Sequence, residues 1–302
     1  DYTVIGAINP KRKSELTGLK TLGIFSKIEQ AKIDVTNADE VHRFFRDNKV
    51  DEVYHLAAQS SVAASFYNHA KTLQYNIISV INLLESIRTL SQSVHFYNAS
   101  SSEMYGNVSS LPITLSTPFN PLSSYAVSKV AAHQIVKSYR ESYGLFAVSG
   151  VLFNHESPLR KHGFFTKKLI QAALDLKAKK IESVSFGNLN VKRDFGYAPE
   201  YVRAMWLMLQ QELPEDFIIC TGVSVSLRDL VEHVFKQVGV SPDAIKDEPS
   251  LHRKNDIIEN YGDPRDAFEK LGWKSSLDAF SIMNEMLDGP LERTTFTETD
   301  RD

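Results

Sequence analysis

The sequence predicts an α/β fold, a doubly wound parallel sheet followed by a smaller α/β lobe. Three observations carry that prediction. Short apolar runs recur through the first half of the 302-residue chain, each separated from the next by a segment with helical spacing. The runs are apolar on both faces, as strands covered by helices on each side must be. After about residue 155 this regular alternation loosens.

In order along the chain, strands are expected in "YTVIGAI" (2–8), "AKIDV" (31–35), "DEVYHLAA" (51–58), "VHFYNAS" (94–100) and "LFAVSGVLFN" (145–154). Helices are expected over 38–47, over 73–90, where Ile77, Val80, Ile81, Leu84 and Ile87 recur at helical spacing, and over 125–142. The later part should hold a helix at 165–177, a strand in "SVSFG", a helix at 199–211, a strand at 217–220 and a helix at 226–238. The Met, Trp and Leu side chains of 199–211 read as core. Residues 1–154, joined by part of 180–225, form the first domain. Residues 155–302 are mainly a second lobe, expected on the same sheet as the wall of a cleft.

Composition narrows the class. At 42% hydrophobic and 24% charged the chain is an ordinary globular protein. Its formal net charge of −3 and scattered basic residues argue against nucleic acid as a partner. A single cysteine, Cys220, rules out an internal disulfide framework and reads as a small buried hydrophobe in a reducing compartment. No apolar run approaches the roughly 18 residues of a membrane span, and no leader precedes the first strand, so a cytoplasmic protein with no membrane partner is expected.

Ligands of open α/β sheets bind at the carboxyl ends of strands, and two unusual stretches fall there. "NASSSEMYG" (98–106) leaves an apolar strand through three serines and places a carboxylate, Glu103, beside Tyr105. "SSYAVSK" begins the next helix with Tyr125 and Lys129 four apart, on one helix face. Tyrosine, with an ordinary pKa of about 10, is a poor base near neutrality; a nearby ammonium favours its phenolate. A chance pair on a solvated face would look the same. The position of this pair, one helix after a serine-rich strand end, favours a site. Glu103 could be a loop charge, or a base that removes one proton and returns it as an acid.

This layout resembles the extended short-chain dehydrogenase/reductase superfamily. "NASSSEMYGNVSSLPITLSTPFNPLSSYAVSK", "YRESYGLFAVSGVLFNHESPLR", "GNLNVKRDFGYAPEYVRAMWLMLQQELPEDFIICTG" and "GDPRDAFEKLGW" are, more narrowly, similar to the GDP-mannose 4,6-dehydratase family over nearly the whole chain. The resemblance implies a Rossmann-like fold, NADP as cofactor, and dehydration of GDP-mannose to GDP-4-keto-6-deoxymannose by a homodimer or homotetramer. It implies catalytic roles for Ser101, Glu103, Tyr125 and Lys129, with Tyr125 and Lys129 also touching the cofactor. Asp34 and Val35 would lie at the adenine, and Leu56, Ala57, Ala58 and Gln59 would line the cofactor. His155 and Arg160 would sit on its far side, Arg160 close to the nucleotide sugar. Asn154, Lys168, Asn188, Lys192, Arg193, Arg253 and Asp256 would hold that sugar, Arg253 at the diphosphate. Asn76 would be a structural polar group on the central helix.

Three departures stand out. The family's Thr is Ser101 here, which keeps the hydroxyl. Its Arg pair at the 2′-phosphate is replaced by Asn9 and Pro10, followed by Lys11, Arg12 and Lys13; no acid closes that strand, which leaves NADP favoured. The glycine-rich pyrophosphate fingerprint is missing, Gly6 and Gly18 standing alone, and an omitted N-terminal segment is expected to carry it. A GDP-4-keto-6-deoxymannose reductase, a GDP-manno-heptose 4,6-dehydratase and a non-catalytic GDP-sugar-binding relative remain alternatives.

Overall fold

The computed structural model describes residues 2–11, 16–90, 93–251 and 255–289; Arg12, Lys13 and Arg253 therefore lie outside the described residues. The first half comprises β1 (Ile5–Ile8), α1 (Thr17–Thr21), β2 (Glu29–Lys32), α2 (Ala38–Asp47), β3 (Glu52–His55), α3 (Val62–Ser65), α4 (His69–Thr89), β4 (His95–Ser101), α5 (Ser124–Tyr143) and β5 (Ala147–Leu152). Then follow β6 (Asn154–Glu156), α6 (Phe165–Lys177), β7 (Val184–Phe186), β8 (Lys192–Tyr197), α7 (Ala198–Leu209), β9 (Phe217–Ile219) and β10 (Ser224–Ser226). The chain continues through α8 (Leu227–Val238), β11 (Ile245–Asp247), β12 (Glu259–Asn260), α9 (Arg265–Leu271) and α10 (Ala279–Asp288).

Parallel strands β3-β4-β5-β9 form the central ladder. Every residue of β5 is buried, which is why "AVSGVL" carries no polar-facing alternation. One face is covered by α2, α4 and α5 through Val41, Phe45, Val80, Leu84, Ile87 and Val136. The other is covered by α7 and α9 through Tyr201, Met205, Met208 and Leu271. A doubly wound sheet is therefore observed.

Two expectations are corrected. Among the described residues β1 pairs only with β2, and no ladder bond joins this pair to β3; a side-chain bond from the Tyr2 hydroxyl to Glu52 Oε1, 3.1 Å, spans the two instead. The lobe, expected on the same sheet, has its own: β10-β8-β12 with β6 added to β8, and a separate β11-β7 pair. Among the described residues only β9 returns to the central ladder. The lobe is closed by α6, α8 and α10 around Ile170, Phe186, Val234, Phe235 and Met283. Within α7 the Met side chains are core as expected, but Trp206 is 41% exposed and donates its indole N–H to the Tyr2 hydroxyl. Cys220 is buried, in keeping with its reading as a small hydrophobe.

Candidate active site

The odd stretch after β4 is a local structure with a local cause. Ser101 ends the strand, and its Oγ accepts the Glu103 backbone N–H at 3.3 Å, opening a single 3₁₀ turn over Ser102–Tyr105. Ser102, Met104 and Tyr105 are buried, which leaves Glu103 as the one partly exposed residue of the turn. Gly106 then takes φ 57° with the Asn120 carbonyl where a Cβ would stand, so only glycine closes the turn.

α5 opens on Ser123, whose Oγ accepts the Ala126 N–H at 3.1 Å. This places Tyr125 in the first turn, hydrogen-bonded to Ser101 across the gap between the two elements. Lys129, one turn on, is buried; its Nζ donates to the Ala99 carbonyl at 2.7 Å and lies 5.7 Å from the Tyr125 ring centre. Burial pushes Lys129 down to about 8. It also pushes Tyr125 up to about 12; the Ser101 hydrogen bond and the Arg160 charge pull it down, and the Glu103 charge raises it. Ser101, Glu103, Tyr125 and Lys129 thus converge on one site, and Arg160 joins them electrostatically. At neutral pH Tyr125 is a phenol.

The end of β3 lies alongside. Asn76 accepts the Gln59 N–H at 2.8 Å and donates to the Gln59 carbonyl at 3.2 Å and to Ser128 Oγ at 2.9 Å. One buried amide thereby clasps Gln59, at the end of the segment Leu56, Ala57, Ala58 and Gln59, against α4 and α5. The segment offers Leu56, 54% exposed, and a buried Gln59 Oε1 that has no hydrogen-bond partner. An apolar surface beside an unsatisfied acceptor and the Lys129 ammonium suits a ligand with a flat ring and a polyhydroxyl arm, so these residues fit a nicotinamide dinucleotide. His55, at the same strand end, is driven down to about 3 by burial and the Lys129 charge, and is neutral.

Other expected residues are engaged with each other. Asp34 is held down at about 2 by hydrogen bonds from Lys11 and Thr36; Lys11 Nζ lies 2.7 Å from its Oδ2. Asp34, expected at the adenine, and Lys11, from the basic run after β1, are therefore an ion pair here. The Val35 carbonyl accepts from Asn82 Nδ2 at 3.1 Å. In β6, Asn154 is in register with Phe195 of β8. His155 donates from Nδ1 to the Phe153 carbonyl at 2.8 Å and stacks on Tyr201 at 5.0 Å. Lys168 donates to the Ser185 carbonyl at 2.7 Å, and Lys192 Nζ lies 3.9 Å from Glu259. Asn188 lines a cavity of ≈ 240 Å³ with Asn190, Arg228 and Glu232.

Arg193 departs from expectation. It is buried, donating to the carbonyls of Lys192 at 2.8 Å and Ile257 at 2.6 Å, with Asp256 at 3.4 Å. Both residues were expected on the nucleotide sugar; in the structure they tie the chain before β12 to β8. Arg193→Ala should therefore lower stability by about 1.5–3 kcal/mol, the contribution of hydrogen bonds made by a charged group. Thermal unfolding checks this: an unchanged midpoint with weakened GDP binding would restore the ligand-contact reading.

Among the described residues there is no cluster of metal-ligating side chains and no helix long and apolar enough to cross a membrane. Sequence reasoning missed Glu156, a carboxylate buried beside Arg160; its signal was the four-residue spacing to that arginine within "NHESPLR".

A helix-covered parallel ladder with Ser, Tyr and Lys converging at its strand ends defines a Rossmann-like α/β protein. The fold is similar to dTDP-glucose 4,6-dehydratase DesIV from Streptomyces venezuelae, with TM-score 0.85 and 18% identity over 94% of this chain and 86% of that one. It is also similar to RMD from Pseudomonas aeruginosa, with TM-score 0.81 and 22% identity over 95% of this chain and 98% of that one. The family model described as GDP-mannose 4,6 dehydratase matches residues 1–286. GDP-mannose 4,6-dehydratase from Yersinia enterocolitica is 36% identical over 290 residues, 86% of this chain and 78% of the relative. GDP-mannose 4,6 dehydratase 1 from Arabidopsis thaliana is 38% identical over 264 residues, 86% and 73% respectively. The chain belongs to the GDP-mannose 4,6-dehydratase family.

Proposed function

We propose that this protein is a hydro-lyase that converts GDP-mannose to GDP-4-keto-6-deoxymannose with a nicotinamide dinucleotide, NADP in preference to NAD. The observation that carries the reading is Glu103, a carboxylate held at the same site as Ser101, Tyr125 and Lys129. Moving a hydride at one carbon needs the hydroxyl, phenol and ammonium alone; a carboxylate beside them permits an elimination as well.

Residues Leu56 to Gln59, Asp34, Val35, Lys129, His155 and Arg160 would hold the cofactor. When bound, it supplies a hydride acceptor at C4 and returns the hydride at C6. The protein's own groups move the protons. Tyr125, bridged to the substrate by Ser101, takes the C4 hydroxyl proton in its phenolate form, which the Lys129 ammonium and the positive charge of the bound oxidised cofactor would favour over the phenol of the free protein. The resulting ketone acidifies the C5 proton, which Glu103 removes and then delivers to the departing C6 hydroxyl, so that water leaves. A proton returned to C5 balances the one taken by Tyr125. Asn154, Lys168, Asn188, Lys192 and Arg253 would position the nucleotide sugar, charged donors being suited to a diphosphate. The absence of an acid after β1 supports NADP, and the family resemblance supports a cytoplasmic homodimer or homotetramer.

Full-length protein incubated with GDP-mannose should give a product lighter by one water with no added reductant consumed, read by mass spectrometry and absorbance. A product of unchanged mass, or stoichiometric NADPH oxidation, would overturn dehydration, the latter in favour of the reductase.

A further inference from the structure

We infer that Glu156 is a positioning residue which, through Arg160, fixes the positive charge that acts on Tyr125 and so sets how readily the first proton is taken. This rests on the dehydration reading for its catalytic consequence, but its physical basis is independent of it.

Glu156 closes β6 and is 2% exposed. Its Oε2 accepts the Thr166 hydroxyl, from the first turn of α6, at 2.8 Å. The same oxygen lies 2.9 Å from Arg160 Nε. That N–H is not aligned for a hydrogen bond, so the contact is an ion pair. Arg160 is held from a second side, its guanidinium carbon 3.8 Å from the Phe164 ring centre. A buried carboxylate is costly unless paired, and here its paired charge is, after the larger effect of the Ser101 hydrogen bond, a second group that lowers the pKa of Tyr125. Carboxylate and ring together restrict where the guanidinium can go.

The groups around Glu156 are few. Thr166 and Arg160 touch it; Tyr197 of β8 is its register partner; His155 beside it is lowered by burial and so neutral; Lys167 of α6 directs its Nζ to the Pro158 carbonyl at 3.2 Å. Around Tyr125 the charged groups are Glu103, Arg160 and Lys129. Burial pushes Glu156 up to about 7, against the pull of Arg160 and Thr166. As pH falls through that value the carboxyl gains a proton and the ion pair on Arg160 is lost.

Glu156→Gln keeps size and the Thr166 contact while removing the charge. If Glu156 positions Arg160, the guanidinium is released, Tyr125 becomes harder to deprotonate, and the pH midpoint of the first hydride-transfer step moves up. A shift of one unit corresponds to about a tenfold slower step at neutral pH. If Glu156 were merely a nearby negative charge, its removal would leave Arg160 in place and move the midpoint down. In an Arg160→Ala background the Glu156→Gln effect should vanish. A readout without substrate uses protein labelled with 13C at tyrosine Cζ. The Tyr125 resonance, assigned by its loss in Tyr125→Phe, should show in the wild type a step near pH 7 that Glu156→Gln removes, while the step from Lys129 near pH 8 stays in both. The wild-type titration stands even if the variant fails to fold. A downward or absent shift of the midpoint, additivity with Arg160→Ala, or a wild-type Tyr125 resonance without the step near pH 7 would each overturn the role of Glu156. Wild-type protein that removes no water from GDP-mannose would instead overturn the dehydration reading, leaving the resonance experiment to decide Glu156.

Discussion

Glu103→Gln is expected to bind GDP-mannose as the wild type does, to complete the first hydride transfer, and to stop there. Loss of one acid/base group lowers kcat by about 10²–10⁴. The side chain stands on a turn whose other residues are buried and whose opening is set by the Ser101 cap and its closing by Gly106. An isosteric amide should therefore leave the turn, the cap and the fold undisturbed. In a single turnover the absorbance of reduced cofactor should rise and persist, because the C5 proton has no acceptor. Near wild-type kcat would make Glu103 a surface charge and would favour the reductase.

Tyr125→Phe should give the opposite trace, with no reduced cofactor even in a single turnover, and a fall in kcat within the same range of about 10²–10⁴. Phenylalanine fills the same space at the start of α5 and removes only the hydroxyl bonded to Ser101. The cost to stability should be about 0.5–1.5 kcal/mol, the net contribution of an ordinary hydrogen bond. A Tyr125→Phe variant that still reduced its cofactor would assign the first proton to another group. Together the two variants separate the redox half of the cycle from the elimination half.

Much of this was legible in the sequence because it is local. The alternation of apolar runs and helical segments follows from backbone geometry over a few residues. The i, i+4 spacing of Tyr125 and Lys129 places them on one face wherever their helix goes, and the serine cap, single turn and glycine around Glu103 span only nine residues, 98–106. Tertiary structure decided which segments met. Nothing local says that β9 should join β5 while β10 pairs with β8, or that β6, three residues long, should leave the central sheet. Arg193 reads in the sequence as one more residue for a nucleotide sugar, and only the folded chain brings its guanidinium to Ile257 and Asp256, more than sixty positions away. Asp34 and Lys11 each carry a charge suited to a nucleotide, and only their approach to 2.7 Å makes them partners. Glu156 reads as one more acidic residue until burial and Arg160 give it a task. The physical reason is the same in each case: periodicity and capping are set by neighbours along the chain. An ion pair or a ladder between distant segments depends on loop closure and on how a buried charge is compensated, both of which are properties of the whole packed fold.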